Sequence, residues 1–232
     1  MRNAIPREAF GVIIVKSKRA EKLMAIVEEL AETIKIELEN VDPNLTIELE
    51  EAEMPKKIMS KPVQKRLTNA VWAAPNDVVR MSDTMHSTVE TSSNLAIVKS
   101  SKNTVEVSCL VRSFSESAKS ALASRLESVF ELAGASVVIE GSYPGWKPDV
   151  NSEILEVMKK LYKKQFKKNP ELLAMHAGLE CGILGATYTN WDMISIGPTI
   201  KYPHSPDEKV NIETVQKYWE FLVNVLENIP EK

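Results

Sequence analysis

The stretch NLAIVKSSKNTVEVSCLVRS, residues 94–113, contains two apolar runs joined by a polar turn. Both runs are rich in β-branched residues, and Ser and Asn dominate the turn between them, as in a β-hairpin. We therefore predict strands around 94–99 and 104–111, adjacent and antiparallel. Arg112 is predicted to lie at the end of the second strand, on an exposed surface.

Segments on either side of this hairpin predict the rest of a sheet and its helices. Three runs with strand patterns are FGVIIV (10–15), LTIELEEAE (45–53) and ASVVIEG (135–141). Helices are predicted over 19–38, within 60–75 and over about 115–133, the first with one apolar face made of Leu23, Ile26, Val27, Leu30, Ile34 and Leu38. The expected class is α+β, an open and mostly antiparallel sheet with helices on one face.

The pattern changes at GSYPGWKPDVNSE (141–153), where Gly, Pro and Ser cluster, and we expect a domain boundary there. Beyond it we predict a helix over about 151–167, a strand-like run at 191–198 and a last helix within 211–229. This alternation is typical of the end of an α/β domain, but about two strands are too few for an independent sheet.

Composition excludes several classes of function. The net charge of −3 provides no basic field for a nucleic-acid backbone, and KKLYKKQFKK (159–168) has the spacing of a solvated helix face. Cys109 and Cys181 are far apart and lack a CxxC-type spacing, so reduced thiols are favoured over a disulfide or a metal pair. With no signal-peptide pattern and no run of membrane-spanning length, we expect a soluble cytoplasmic protein.

Four stretches contain residue types that could support chemistry, and each alone also has a plain structural explanation. His204, between two prolines, could be a surface-turn residue, a metal ligand or a proton carrier. Arg112 could form a surface ion pair, and Glu180 could sit at a helix start. The stretches are RNAIPREA (2–9), CLVRSFSES (109–117), MHAGLECG (175–182) and SIGPTIKYPHSPDE (195–208).

Together with SDTMHSTVETSSNLAIV (82–98) and GSYPGWKPDVNSEI (141–154), these stretches closely resemble the aminoacyl-histidine dipeptidases. This family, also called Xaa-His dipeptidase or peptidase D, belongs to the carnosinase- and aminoacylase-like metallopeptidases. The resemblance implies hydrolysis of dipeptides, notably those with C-terminal histidine such as carnosine, with two divalent metal ions, usually zinc. It also implies an α/β catalytic domain interrupted by an inserted lid through which the protein forms a homodimer.

The resemblance further implies which part of such a protein the chain covers. Residues 1–143 are similar to the later part of the lid, and residues 144–232 to the C-terminal piece of the catalytic domain. The upstream half of the family contains the HxD metal motif, the bridging aspartate and the paired glutamates that include the general base. We therefore expect no catalytic base in this chain, which also explains the shortage of strands.

Individual residues take roles from the same resemblance. His204 matches the last metal ligand, and its Pro-flanked loop suits a ligand that must be held in place. Asn3 and Arg112 match lid residues that hold the substrate, for which Arg offers a bidentate grip on a carboxylate and Asn an amide donor. Gly178 matches a point where bare backbone approaches the substrate. Glu180 is grouped with these substrate-binding residues, although neither it nor His176 has a defined role.

Two hypotheses follow from different classes of function. In the first, the chain is the C-terminal part of a metallodipeptidase and is inactive alone, because most metal ligands and the general base are missing. In the second, it is a non-catalytic dimerisation or interaction module derived from the lid. The joint presence of Asn3, Arg112, Gly178 and His204 favours the first, since a dimerisation module needs none of them.

Overall fold

A computed structural model describes residues 2–174, 180–203 and 205–229 of the chain. Three residues singled out above, His176, Gly178 and His204, lie outside the described residues. The chain divides into two compact units, one formed by Met1–Ile5 with Lys65–Lys232 and the other by Pro6–Gln64. None of the helices among the described residues combines the length and the apolar composition needed to cross a membrane.

The unit Pro6–Gln64 contains one long helix. A short 3-10 turn, Ser17–Arg19, leads into helix α1 (Ala20–Leu38), which confirms the helix predicted over 19–38. Within this unit only Ala31 of the helix is buried, and Ile26 and Leu30 of the predicted apolar face remain exposed. Helix α2 (Lys61–Ala73) begins at the end of this unit and confirms the helix predicted within 60–75.

The other unit is built on a three-stranded antiparallel sheet. Strands β1 (Asp77–Met81), β2 (Val89–Ser100) and β3 (Val105–Ser113) follow one another in space in that order, so β2 is central. Strands β2 and β3 form the hairpin predicted from residues 94–113, closed by the hydrogen bond from the Ser101 N–H to the Thr104 carbonyl at 2.8 Å. Arg112 lies one residue before the end of β3.

Helix α3 (Glu116–Leu132) packs against β2 and β3, in agreement with an antiparallel sheet covered by a helix. Ser115 caps the helix, because its hydroxyl accepts a hydrogen bond from the Ala118 N–H at 3.4 Å. Leu122 and Leu126 are buried on the helix, as is Phe114 just before it. This helix confirms the one predicted over about 115–133.

The last third of the chain is mostly helical. Helices α4 (Glu153–Phe166) and α6 (Ile212–Glu227) pack together through a core of Met158, Phe221 and Val225, and both helices were predicted from the sequence. Between them lie helix α5 (Glu180–Thr187) and a short antiparallel pair, β4 (Ile200–Lys201) with β5 (Lys209–Val210).

Several predicted strands are wrong. Residues 10–15, 45–53 and 135–141 and the run at 191–198 have apolar or alternating patterns, but the described structure gives them no strand assignment. Phe10 is 92% exposed and Val138 is 80% exposed. The physical reason is that a strand requires a neighbour to accept and donate its backbone hydrogen bonds, and an apolar pattern does not supply one. The domain boundary near residue 143 stays a prediction. The residues on both sides of it belong to the same compact unit.

Candidate functional site

The register of the hairpin places Arg112 and Asn94 on the same face of the sheet. Arg112 is opposite Ser92, and Asn94 is opposite Leu110, two positions further along each strand. Directly opposed residues of an antiparallel pair point to one side, and so do residues two apart on one strand. The half-buried side chains of Asn94 and Arg112 are therefore diagonal neighbours on this face.

The other face of the hairpin is buried and polar next to Arg112. The hydroxyls of Thr91 and Ser113 lie 2.8 Å apart, and both residues are buried. The carboxylate of Glu90, which is also buried, forms an ion pair with the Arg80 guanidinium, with 3.3 Å between Arg80 Nε and Glu90 Oε1. These contacts fix the ends of β2 and β3, so that the backbone carrying Arg112 is held firmly.

Arg112 itself is available for a ligand. Among residues 2–174, 180–203 and 205–229, no ion pair or hydrogen bond engages its guanidinium. A guanidinium at a strand end without a structural partner can take a carboxylate in a bidentate grip.

The segment around Asn3 is attached to the same central strand. The Asn94 side-chain amide donates to the Ala4 carbonyl at 2.8 Å and to the Arg2 carbonyl at 3.3 Å. The Arg2 side chain also pairs with Glu140 at 3.1 Å. The structure thus attaches the turn segment that contains Asn3 to β2, and β2 is the direct neighbour of the strand that carries Arg112.

A second set of contacts joins the first turn of α3, just after β3, to the segment 143–145. The Glu116 carboxylate accepts a hydrogen bond from the Gly145 N–H, and the Lys119 ammonium donates to the Tyr143 carbonyl. Glu116 and Lys119 also pair with each other at 2.9 Å. The first turn of α3 therefore clamps this segment from one side.

Two glycines make the close approach possible. A Cβ on Gly145 would lie 2.8 Å from the Phe114 carbonyl oxygen, and a Cβ on Gly182 would lie 2.5 Å from the Pro144 carbonyl oxygen. Gly182 belongs to α5, which begins at Glu180 within the MHAGLECG stretch. The segment 143–145 is thus in contact with the end of β3 on one side and with α5 on the other.

Replacing Gly145 with alanine is expected to destabilise the protein by about 1–3 kcal/mol, since the new methyl group would collide with backbone atoms that cannot rotate away. The measurement is the free energy of unfolding in urea. Gly197→Ala is the matched control, because a Cβ at position 197 meets no atom within 4 Å. Equal stabilities of the two variants would contradict the close packing described at Phe114.

The Glu116 contacts also predict an acid-sensitive contribution to stability. Hydrogen bonds from Lys119 and from the Gly145 N–H hold the pKa of the Glu116 carboxyl below its usual value of 4.5. Because the folded-state pKa is lowered, the stabilisation is complete above pH 4.5 and is lost as the pH falls through the lowered pKa. We expect Glu116→Gln to be less stable than the parent at pH 7 by less than about 1 kcal/mol, because the carboxylate is largely exposed.

The test compares urea unfolding of both proteins between pH 7 and pH 3. The difference in the free energy of unfolding should shrink as the pH decreases. Glu131→Gln changes another exposed carboxylate of α3 and should show no comparable trend. A difference between parent and Glu116→Gln that grows on acidification would contradict the clamp.

The loop around His204 is closed at its base, although His204 itself lies outside the described residues. Ile200 pairs with Val210 and Lys201 with Lys209, so these residues form the base of a small hairpin, beyond which the structure describes residues 202–203 and 205–208. The Ser205 hydroxyl donates to the Tyr202 carbonyl at 2.8 Å. A depression of about 540 Å³ is lined by Tyr202, Ser205, Pro206, Asp207, Glu208 and Lys209.

This hairpin is tied to α6. The Asn211 N–H donates to the Thr199 carbonyl at 2.9 Å, and the Thr199 N–H donates to the Thr214 hydroxyl at 2.9 Å. Asn211 also caps the helix by accepting from the Glu213 N–H at 3.0 Å. These hydrogen bonds attach the base of the hairpin to the first turn of α6.

The described residues do not by themselves form a metal site. Among them, no group of three or more His, Cys, Asp or Glu side chains is arranged to hold an ion. Zinc in a catalytic site normally has three protein ligands. The donor set in the described part of the chain therefore does not fit a complete catalytic metal centre.

The remaining predicted residues are placed only in part. Glu180 is exposed in the first turn of α5, where a carboxylate interacts favourably with the helix dipole. Asn94, Glu116 and Gly145 were not singled out from the sequence. The available signal for Asn94 was an amide inside a strand pattern, where Asn is rare.

Comparison with known proteins gives relatives that match most or all of the chain. The cytosol non-specific dipeptidase of Escherichia coli K12 is 41% identical over 232 residues, which is 100% of this chain and 48% of that protein. The crystal structure of an aminoacylhistidine dipeptidase from Vibrio alginolyticus matches with a TM-score of 0.84 and 42% identity, covering 93% of this chain and 44% of that one. The resemblance to aminoacyl-histidine dipeptidases is thereby confirmed.

Two further findings set the limits of this similarity. The aminopeptidase PepT of Bacillus cereus shares the fold, with a TM-score of 0.58 at 18% identity over 71% of this chain and 44% of that one. No protein-family model matches the chain. The chain spans about half the length of the curated relative it matches.

Proposed function

We propose that this chain contributes the later part of the lid and the C-terminal catalytic piece of a metal-dependent dipeptidase that cleaves Xaa-His dipeptides such as carnosine. The observation that carries the proposal is the 41% identity to a dipeptidase over all 232 residues of the chain. The matched region includes both proposed parts, residues 1–143 and 144–232. This supports the proposal that both parts belong to one dipeptidase. The relative is a cytosol enzyme by name, and we place this protein in the cytoplasm as well.

Arg112 and Asn3 are proposed to hold the dipeptide from the lid side. Arg112 binds the terminal carboxylate, and the absence of a competing partner among the described residues supports this role. Asn3 offers its side-chain amide to the scissile carbonyl, where negative charge develops during hydrolysis. The attachment of the Asn3 segment to β2, the neighbour of the strand that carries Arg112, supports a common placement of the two residues.

The C-terminal piece is proposed to supply one metal ligand and further contacts to substrate. His204 would be the last ligand of a pair of divalent ions, and zinc suits an imidazole ligand. Gly178 would let the backbone approach the substrate, and Glu180 belongs to the same stretch. The remaining ligands and the general base would come from the part of the relatives that this chain does not match.

The experiment compares the chain alone with a completed protein. The completed protein is the chain joined to, or co-expressed with, the part of the E. coli relative that it does not match. In carnosine cleavage with added zinc, we expect turnover from the completed protein and none from the chain alone, because the general base and most metal ligands are proposed to lie in the part of the relative that the chain does not match. Turnover by the chain alone would overturn the proposal. An inactive completed protein that still dimerises would favour the alternative, a non-catalytic module derived from the lid.

We also propose that the protein forms a homodimer. Many large apolar side chains are exposed, and extensive apolar surface usually marks an interface. We expect sedimentation velocity to show a species of twice the chain mass at micromolar concentration. A single monomeric species at high concentration would contradict the homodimer.

A further inference from the structure

The side chain of Asn94 makes two long-range hydrogen bonds to the segment that contains Asn3. Its amide nitrogen donates to the Ala4 carbonyl at 2.8 Å and to the Arg2 carbonyl at 3.3 Å. These two carbonyls flank Asn3 on either side. A primary amide has two N–H donors, and both are engaged here.

Asn94 is well placed to act as an anchor. It lies on β2, the central strand, where it pairs with Leu110 of β3 and directly follows Ser93, the residue opposite the first residue of β1. The next residue, Leu95, donates its N–H to the Asn76 side chain at 2.8 Å, which fixes the backbone at this point. Anchors on paired central strands are more rigid than anchors on loops.

The division of the chain into units agrees with this tether. The first five residues belong with Lys65–Lys232, whereas the next residues, Pro6–Gln64, form a separate unit. A second side-chain contact also holds this segment. It is the ion pair between Arg2 and Glu140, in which both side chains are more than half exposed. Exposed ion pairs contribute little, so the Asn94 bonds carry most of the attachment.

We infer that Asn94 is a positioning residue that holds Asn3 beside the sheet face carrying Arg112. The effect of Asn94 on catalysis rests on the proposed function, in which Asn3 and Arg112 are the two residues that bind the dipeptide. Asn94 does not need to touch the substrate. Its amide sets the distance between the residue that binds the carbonyl and the residue that binds the carboxylate. A misplacement of about 1 Å at such a site can cost about 10²-fold in rate.

The variant Asn94→Asp tests the hydrogen bonds with little change of shape, because a carboxylate cannot donate to a carbonyl. In the full chain, ¹⁵N relaxation of the Asn3 amide should give an order parameter near about 0.85 for the parent and below about 0.6 for the variant. Asn103→Asp, in the exposed hairpin turn, is the matched control and should leave the Asn3 amide unchanged. An equally rigid Asn3 in Asn94→Asp would overturn the inference.

Activity of the completed protein provides the second arm. We expect Asn3→Ala and Asn94→Asp each to lower kcat/KM, by up to about 10²-fold, and the double variant to lose no more than the worse single variant. Additive losses would show that Asn94 acts independently of Asn3 and would overturn the positioning role. If the parent completed protein is inactive, the proposed function fails, while the relaxation measurement still decides the tether.

Discussion

Replacing His204 with alanine in the completed protein is expected to reduce carnosine cleavage to background, a loss of at least about 10²-fold. Outer-shell partners of metal ligands alone cost about 10–100-fold when removed, and a direct ligand should cost more. Strands β4 and β5, which precede and follow position 204 in the sequence, pair with each other, and Thr199 is bonded to α6, so we expect alanine at 204 to leave the fold intact. Metal content should fall together with activity, measured as zinc bound per protein after dialysis.

His86→Ala is the matched control for this prediction. It removes an exposed imidazole from the turn between β1 and β2, where no metal role is proposed. Both variants should retain the unfolding midpoint of the parent, and only the His204 variant should lose activity and zinc. Full activity in His204→Ala would show that His204 is not a ligand of the proposed metal centre.

Local sequence signals predicted the helices and the central hairpin well. Helices α3, α4 and α6 each begin after a capping residue in the structure: Ser115, Ser152 and Asn211. Each cap satisfies a backbone N–H within three residues, so the information lies close together in the sequence. The β2–β3 hairpin was predictable for the same reason, because its turn joins strands that are adjacent along the chain.

Elements that depend on distant partners were predicted poorly. The run at 10–15 has a stronger apolar pattern than β1 (Asp77–Met81). Of these two segments, however, only β1 forms a strand. Strand β1 pairs with β2 and is exposed along its length, so its own pattern gave no signal. Asp77 at its start has φ of 76°, a left-handed conformation that the sequence pattern does not reveal.

The candidate site shows the same distinction. Arg112 could be placed from the sequence, because the hairpin fixes the end of β3. The tether from Asn94 to residues 2–4 spans about 90 positions, and the contacts of Gly145 with Phe114 and of Gly182 with Pro144 link elements far apart in the chain. Such contacts arise only when the sheet and helices have packed. The motifs of the site were therefore recognisable, whereas the residues that hold them in place were not.

Replacing Arg112 with methionine in the completed protein is expected to lower kcat/KM for carnosine by roughly 30- to 150-fold, which corresponds to about 2–3 kcal/mol for a charge-assisted bidentate interaction. Methionine retains an unbranched apolar side chain on β3 and removes only the guanidinium. No described ion pair is broken by the change, so stability should alter little. Steady-state kinetics and urea unfolding of the variant measure the two effects.

The substrate provides the decisive control for Arg112. A dipeptide amide lacks the terminal carboxylate, so the parent should cleave it poorly and Arg112→Met should cleave it no worse than the parent. Arg125→Met, which removes an exposed guanidinium from α3, should leave kcat/KM unchanged for both substrates. An Arg112→Met variant that loses the same factor on the amide as on the free dipeptide would show that the guanidinium supports the structure rather than the carboxylate. The carboxylate role thus depends on a difference between two substrates in one variant, which a general loss of stability cannot produce.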